Sequence, residues 1–523
     1  MSRKNHLVAT GIGSAICAIL MVAHIGAVEG DRRLVQAVKT QNTQAIPALL
    51  KASVDVNLPD TDGTTALHWA AHWNDAATVD LLLRAGAKAD TANDLGVTPL
   101  SEACTNGSAP IVDKLLKAGA KPGLAIATGE TPLMICARTG SADAVKMLLT
   151  AGADVNGKEP LLAQTALMLA VAEQHNDAAK VLIDAGADVK GRTNLGFTPL
   201  HFAAREGNID GARMLLAAGV DINIHSQKDA PPGAAAGGRG GRPRGQLGFQ
   251  GNSYTESEGA TPLLVATTKS QIPMALFLLE QGANPNDIGT GFTALHWASG
   301  VWEGEQANPV VGFSDPMSGI PDRKGKIDLI KSLISHKADV NAKITKNPPG
   351  FAGGYLKSKV GATPAFLAAY ALDLELLELL QGAGADLKAV TRENVSPLMA
   401  AVGVGRRLGY SDAKEDRALE VARFLLAQKN DAAAVSTRGE NVLHGAAYLG
   451  WNRMVQVMFD SGAAVNVVAK SGTTPYLAAS GQGDRQGGVT VFPETAALLV
   501  KLGADPKLGT SCNAQGACPD LAQ

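Results

Sequence analysis

A threonine-led segment recurs along this chain at a spacing that admits few folds. Thr65, Thr98, Thr131, Thr165 and Thr198 lie 33, 33, 34 and 33 residues apart. Each opens a similar stretch: GTTALHWAA from Gly63, GVTPLSEAC from Gly96, GETPLMICA from Gly129, AQTALMLAV from Ala163 and GFTPLHFAA from Gly196. A period of this length and regularity indicates stacked small units, each unable to bury its apolar face alone. Within Gly63 to Asp94, the Thr65 hydroxyl suits a helix N-cap, and Pro99, Pro132 and Pro199 occupy the next position in later copies. Leu67, Ala70 and Ala71 give a first helix a small-residue face, and Val79, Leu82 and Leu83 give a second helix its buried stripe. Gly86 suits the left-handed stop, and the Asp, Asn and Gly residues near 90–96 supply turn chemistry before the next copy.

The period, the TPLHFAA run from Thr198 to Ala204 and the LLTAGAD run from Leu148 to Asp154 together resemble an ankyrin-repeat protein of the exported bacterial type. The resemblance covers most of the chain. It implies an all-α solenoid of about eleven helix-turn-helix repeats plus an N-terminal cap, with insertions at the hairpin edge and between helices. Composition agrees: 46% of the 523 residues are hydrophobic but only 4% are aromatic, as thin stacked repeats with Ala and Leu faces require.

Along the chain, residues 28–62 read as a capping repeat whose polar outer face comes from Asp31, Arg32, Arg33, Gln36 and Lys39. Regular repeats follow over 63–225. Residues 226–258 form a Gly/Pro/Arg-rich stretch that cannot bury a core and reads as a flexible insertion. Repeats resume over 259–508, with further insertions expected near 301–325, 344–360, 403–416 and 481–492, and 509–523 is a tail.

At the N-terminus, Arg3, Lys4 and His6 precede an apolar run from Leu7 to Val28, which reads as a signal peptide ending near Ala27. An uncleaved membrane anchor is the alternative. The expectation is a periplasmic or secreted protein, and loss of residues 1–27 moves the net charge from −2 to −4. Nothing in that balance calls for a nucleic-acid partner. In an oxidising compartment Cys512 and Cys518, in SCNAQGAC, are expected to close a disulfide. Cys104 and Cys136 lie at the ends of inner helices in adjacent repeats, whose axes are about 8 to 10 Å apart. They are expected to be small buried thiols rather than a bridge.

Candidate chemistry is weighed against the repeat. His68 and His72 have the i, i+4 spacing of a zinc site, but Trp69 stands where a metalloprotease motif carries glutamate, and no third ligand is evident. His68 also recurs as His201, His296 and His444 at the same point of other repeats, where the ankyrin resemblance implies a structural hydrogen-bonding role. Gly289, Gly291 and Ala294 match a dinucleotide-type GxGxxA, yet Gly291 is the turn glycine of its repeat; Gly403, Gly405 and Gly409 have the wrong last spacing. The GGRGGRPRG run with Arg239, Arg242 and Arg244 reads as a solvated loop, without interleaved aromatics before Phe249. No GxxxxGK[ST], GxSxG or CxxCH occurs. The chain is expected to be non-enzymatic, with no cofactor and no metal.

The resemblance implies a partner protein gripped along the concave strip made by hairpin edges and inner-helix ends. On this sequence that strip comprises His72, Trp73, Arg138, Glu173, Phe197, Arg205, Glu206, Lys269, Phe292, Tyr370, Tyr448 and Trp451. Aromatic and arginine side chains most often dominate interface energy. Trp69 and Trp297, one turn deeper, are expected in the core. The expectation is a monomeric protein-interaction scaffold. The alternatives are a ligand-binding or enzymatic pocket built by the insertions of the C-terminal half, and a membrane-tethered adaptor.

Overall fold

The computed structural model describes residues 31–227, 258–300, 322–347, 359–404, 412–482 and 491–509. The predicted signal segment and the Cys512–Cys518 pair lie outside these residues. By its internal contacts the chain divides into two compact units, Met1–Asp188 and Val189–Gln523.

Among the described residues, the first unit contains ten helices in five antiparallel pairs. The cap is α1 (Arg33–Lys39) with α2 (Ile46–Lys51). Four repeats follow: α3 (Ala66–His72) with α4 (Ala76–Arg84), α5 (Pro99–Thr105) with α6 (Ala109–Lys117), α7 (Pro132–Thr139) with α8 (Ala142–Thr150), and α9 (Ala166–Ala172) with α10 (Asn176–Asp184). Within the unit each inner helix packs on the next inner helix, α1 on α3, α3 on α5, α5 on α7 and α7 on α9. That close stacking is possible because Ala70, Ala71, Ala103, Ala137 and Ala170 are fully buried where larger side chains would hold the helices apart. The outer helices contribute the aliphatic core, with Val79, Leu82, Ile111, Leu115, Val145, Leu148 and Leu182 all at 0% exposure. Each such side chain contributes roughly 1.5–3 kcal/mol by leaving water.

The repeat threonine starts the inner helices as its chemistry predicts. Thr98 Oγ1 accepts from the Ser101 N–H at 3.2 Å, and Thr131 and Thr165 accept from Met134 and Met168 in the same way. Successive hairpins are tied by main-chain bonds, Asp94 N–H to the Asp62 carbonyl at 3.0 Å and Ala127 N–H to the Leu95 carbonyl at 2.8 Å.

In the second unit, the described residues hold α11 (Pro199–Glu206), α12 (Ile209–Ala217), α13 (Pro262–Thr268), α14 (Ile272–Glu280), α15 (Ala294–Ser299), α16 (Arg323–Ser335), α17 (Pro364–Tyr370) and α18 (Leu374–Gly382). They continue with α19 (Pro397–Ala401), α20 (Asp412–Ala427), α21 (Val442–Tyr448), α22 (Asn452–Asp460), α23 (Pro475–Ala479) and α24 (Pro493–Lys501). These seven pairs, with the four of the first unit, make the eleven repeats that the period predicts. Two expected insertions are shorter than their boundaries suggest, because α16 begins at Arg323 and α20 at Asp412. At the base of a third, Ile344 and Gly361 close the chain back on itself through Ile344 N–H to Ala362 O and Gly361 N–H to Ile344 O. Among the described residues no helix is long and apolar enough to cross a membrane.

Candidate partner-binding surface

In each repeat after the cap, the residue seven positions beyond the capping residue stands at the end of the inner helix. In the first unit these are His72, Thr105, Arg138 and Ala172; the first three are exposed and the fourth is half-buried. In the second unit the equivalent Arg205, Thr268 and Tyr448 are half-buried, while Gly300, Tyr370, Gly403 and Gly481 are buried. An open row of inner-helix ends is therefore a property of the first unit.

Its most distinctive part gathers on α1, α3 and α5. Trp73 stacks on Trp69 at 6.1 Å and 22°, and the His72 ring stands edge-on to both tryptophans, 5.5 Å from Trp69 and 4.8 Å from Trp73. The sequence reading placed Trp69 in the core; it is half-buried and forms the back of this cluster. Trp73 Nε1–H donates to the Lys39 carbonyl at 3.2 Å, and Lys39 Nζ lies 5.2 Å from the Trp69 ring centre. Lys39 also pairs with Asp60 at 2.9 Å, and that hydrogen bond, with one from the Thr61 backbone N–H, holds the Asp60 carboxyl below its ordinary range. His72 reaches across to Glu102 of the next repeat at 3.1 Å. The result fixes Trp73 in place while leaving it 42% exposed. Beside it opens a cavity of about 170 Å³, with Val38, Ile46 and Ala70 as apolar lining and Gln41, Thr43, Asp75 and Thr78 as polar lining.

Elsewhere in the first unit, Arg138 pairs with Glu130 at 2.8 Å, and Glu173 is exposed. In the second unit, Arg205 pairs with its neighbour Glu206 at 2.6 Å and lays its guanidinium 4.7 Å from the Phe202 ring centre. Lys269 and Tyr448 are half-buried.

Four aromatics expected on the strip are core residues instead. Phe197 is 6% exposed and packs edge-on against His201 and Phe202, and Phe292 is 0% exposed and stacks on Trp297 at 6.0 Å. Both precede a capping threonine, so their rings fold back over the helix they introduce. Tyr370 is buried with Lys359 Nζ 4.8 Å from its ring, and Trp451, at 1% exposure, caps α22 from inside the intra-repeat turn.

A further correction concerns Cys104 and Cys136, which form a disulfide with their Cα atoms 4.5 Å apart. Axis separation misleads here. Each Cα stands about 2.3 Å off its helix axis, and the facing residues Ala103 and Ala137 are small enough to let the helix ends converge.

The zinc reading fails on the ring nitrogens of His68. Its Nδ1 accepts from the Thr65 backbone N–H at 3.1 Å, so Nε2 carries the proton and donates to the Val97 carbonyl of the next repeat at 2.9 Å. His201, His296 and His444 repeat this arrangement toward Ala260, Ala342 and Thr473. Burial, the main cause, lowers these three to about 4 and lowers His68 as well. Among the described residues no His, Cys, Asp and Glu group is arranged to hold a metal ion. Gly291 lies at φ +100°, where a Cβ would meet Lys346 at 2.6 Å, and it turns the chain into α15 rather than cradling a phosphate.

Sequence reasoning missed an asparagine clamp between repeats. Asn57 accepts from Lys88 N–H at 2.7 Å and donates to the Gly86 carbonyl at 3.1 Å. Asn156, Asn286, Asn341 and Asn466 make the same two bonds. The recurring Asp-Val-Asn at 55–57, 154–156 and 339–341 was the available signal.

Comparison with known families agrees with this architecture. Three-copy ankyrin-repeat windows match residues 7–93, 34–126, 74–159 and 133–226, and a single ankyrin repeat matches 258–289. No curated protein matches the chain. Beyond residue 289 the same paired helices, histidine boxes and asparagine clamps continue to α24, and on the sequence matches and this repeated geometry together the chain is an ankyrin-repeat protein.

Proposed function

We propose that this protein is a non-enzymatic, monomeric scaffold that binds another protein through the inner-helix ends and hairpin edge of its first unit, outside the cytoplasm. Ankyrin repeats are generally protein-interaction modules. The observation that carries the more specific reading is the open row at His72, Thr105 and Arg138, with Trp73 held rigidly at its margin. A large aromatic ring ordered before binding loses little freedom when a partner covers it. Location outside the cytoplasm is supported by the signal-like N-terminus and by the Cys104–Cys136 bridge, a bond that persists where thiols are not kept reduced.

Cross-linking and affinity capture from native extract test the reading, comparing wild type with Trp73→Ala and Arg138→Ala. Loss of a captured protein at unchanged thermal stability is the expected result. A partner retained by both variants moves the surface elsewhere. Finding Val28 or a neighbour as the mature N-terminus would support export, and an intact Met1 in membrane fractions would replace it with tethering.

A further inference from the structure

We propose that the exposed face of the first unit takes a basic, extended segment of its partner, with an apolar side chain of that segment seated in the cavity beside Trp73. This rests on the protein-binding reading and names the chemistry of what is bound.

The charge on this face carries the choice of occupant. Two cations stand at the inner-helix ends, Lys39 and Arg138, and both are already paired, with Asp60 and Glu130. Asp62, Asp94 and Glu173 are exposed and form no ion pair among the described residues. The Thr64 backbone N–H bonds Asp62 at 3.0 Å, the main cause that keeps its carboxyl below the ordinary range and ionised at neutral pH. Glu102 adds a half-exposed carboxylate, bonded to the His72 ring. Such a face repels nucleic acid and anionic lipid and steers cationic side chains toward it.

Geometry sets the spacing of the partner's charges. Asp62 and Asp94 occupy successive hairpins, and their hairpins are joined by the Asp94 N–H to Asp62 carbonyl bond. Stacked helices advance about 8 to 10 Å per repeat. A segment extended in the polyproline II conformation has three residues per turn and advances about 3.1 Å per residue, so cations three residues apart share one face and match one carboxylate per repeat. The apolar anchor falls at the Trp73 end, where the indole already has its N–H satisfied and offers an apolar ring to the cavity lined by Val38, Ile46 and Ala70.

Synthetic peptides binding to the full chain, followed by tryptophan fluorescence and by anisotropy of a labelled peptide, test this. The probes carry leucine and place lysine at every third position, glutamate at those positions, or the lysine composition scrambled. The lysine peptide is expected to bind, to weaken about tenfold when salt shortens the screening length to a few ångströms, and to lose about thirtyfold with Trp73→Ala. A triple Asp62→Asn, Asp94→Asn, Glu102→Gln variant, which leaves Trp73 intact, is expected to lose the salt dependence. Equal binding of the glutamate or scrambled peptide overturns the proposal, as does lysine-peptide binding unaffected by both variants, or competition by a DNA oligonucleotide at this face. If no peptide binds while the captured partner still depends on Trp73, the basic-segment proposal fails alone. If no partner depends on Trp73 either, the protein-binding reading fails with it.

Discussion

Cys104 of α5 is bonded to Cys136 of α7, so a covalent link crosses the interface between two consecutive repeats. Both residues are at 0% exposure, and the Thr139 hydroxyl donates to the Cys104 carbonyl at 2.8 Å beside them. The bond therefore sits beneath the open row of helix ends rather than at a chain terminus.

The bridge closes a sequence separation of 32 residues. Restricting the unfolded chain over a loop of that size is worth about 3–4 kcal/mol on the loop-entropy account. Protein isolated from its native compartment is expected to show no free thiol at Cys104 or Cys136 by alkylation and mass spectrometry. A double Cys104→Ala, Cys136→Ala variant is expected to lower the unfolding free energy of the first unit, read from urea titration, by a comparable amount, and unchanged stability under reducing conditions would contradict the link.

The histidine boxes make the fold acid-sensitive at a defined pH. Folded His201, His296 and His444 titrate near 4, whereas an unfolded histidine titrates near 6.5. Between those values the unfolded chain binds protons that the folded chain refuses, so stability is fully present above about 6.5 and falls as pH drops toward 4. Each box contributes a slope of up to about 1.4 kcal/mol per pH unit in that window. For His201 the nearby Arg192 and His225 push in the same direction as burial. Urea titrations between pH 7 and 4.5 are expected to show the decline, and His201→Gln, which cannot titrate, to make it shallower. An unaltered slope in that variant would remove His201 from the account.

Removing one asparagine clamp tests how far the repeats depend on side-chain bridges. Asn57→Ala is expected to cost about 1 kcal/mol, because the Lys88 N–H and Gly86 carbonyl it releases are exposed and return to water. Asn57→Asp keeps the acceptor and loses the donor, as Asp90 does naturally toward the Lys121 N–H at 2.6 Å, and should cost less. Equal losses in the two variants would mean that the donor bond carries the clamp.

The fold was legible because its signals are periodic and local: Thr65 and its equivalents, the apolar stripes and the turn glycines each report on their own helix. What crosses between repeats was harder to see. Asn57 and Glu102 look like ordinary surface residues until the neighbouring repeat is in place. The disulfide was missed because helix spacing was read between axes and not between facing Cα atoms. Burial of Phe197, Phe292, Tyr370 and Trp451 depends on the packing of adjoining turns, which aromatic identity does not encode, whereas the exposed pair His72 and Trp73 departed from the repeat pattern in the sequence itself.

A last prediction uses a turn position where that pattern is broken at a structural cost, as it is also at Ser53 and Lys429. After most outer helices a glycine takes the left-handed conformation, as Gly86 does at φ +90° and Gly384 at φ +90°, with open space around both. After α16 the equivalent residue is Lys337, at φ +67° and exposed. A side chain there costs about 1–2 kcal/mol against the following carbonyl, partly offset by the greater freedom of unfolded glycine. The hydrogen bond that Lys337 receives from Asn286 Nδ2, at 2.8 Å, ends on its main-chain carbonyl and survives substitution. Lys337→Gly is therefore expected to stabilise the second unit by about 1 kcal/mol, read as a higher thermal midpoint. Lys331→Gly, at an exposed site within α16, is the matched control and should destabilise by about 1 kcal/mol, since there glycine only loosens a helix. If both substitutions lower the midpoint, the lysine side chain and not the backbone conformation governs this turn.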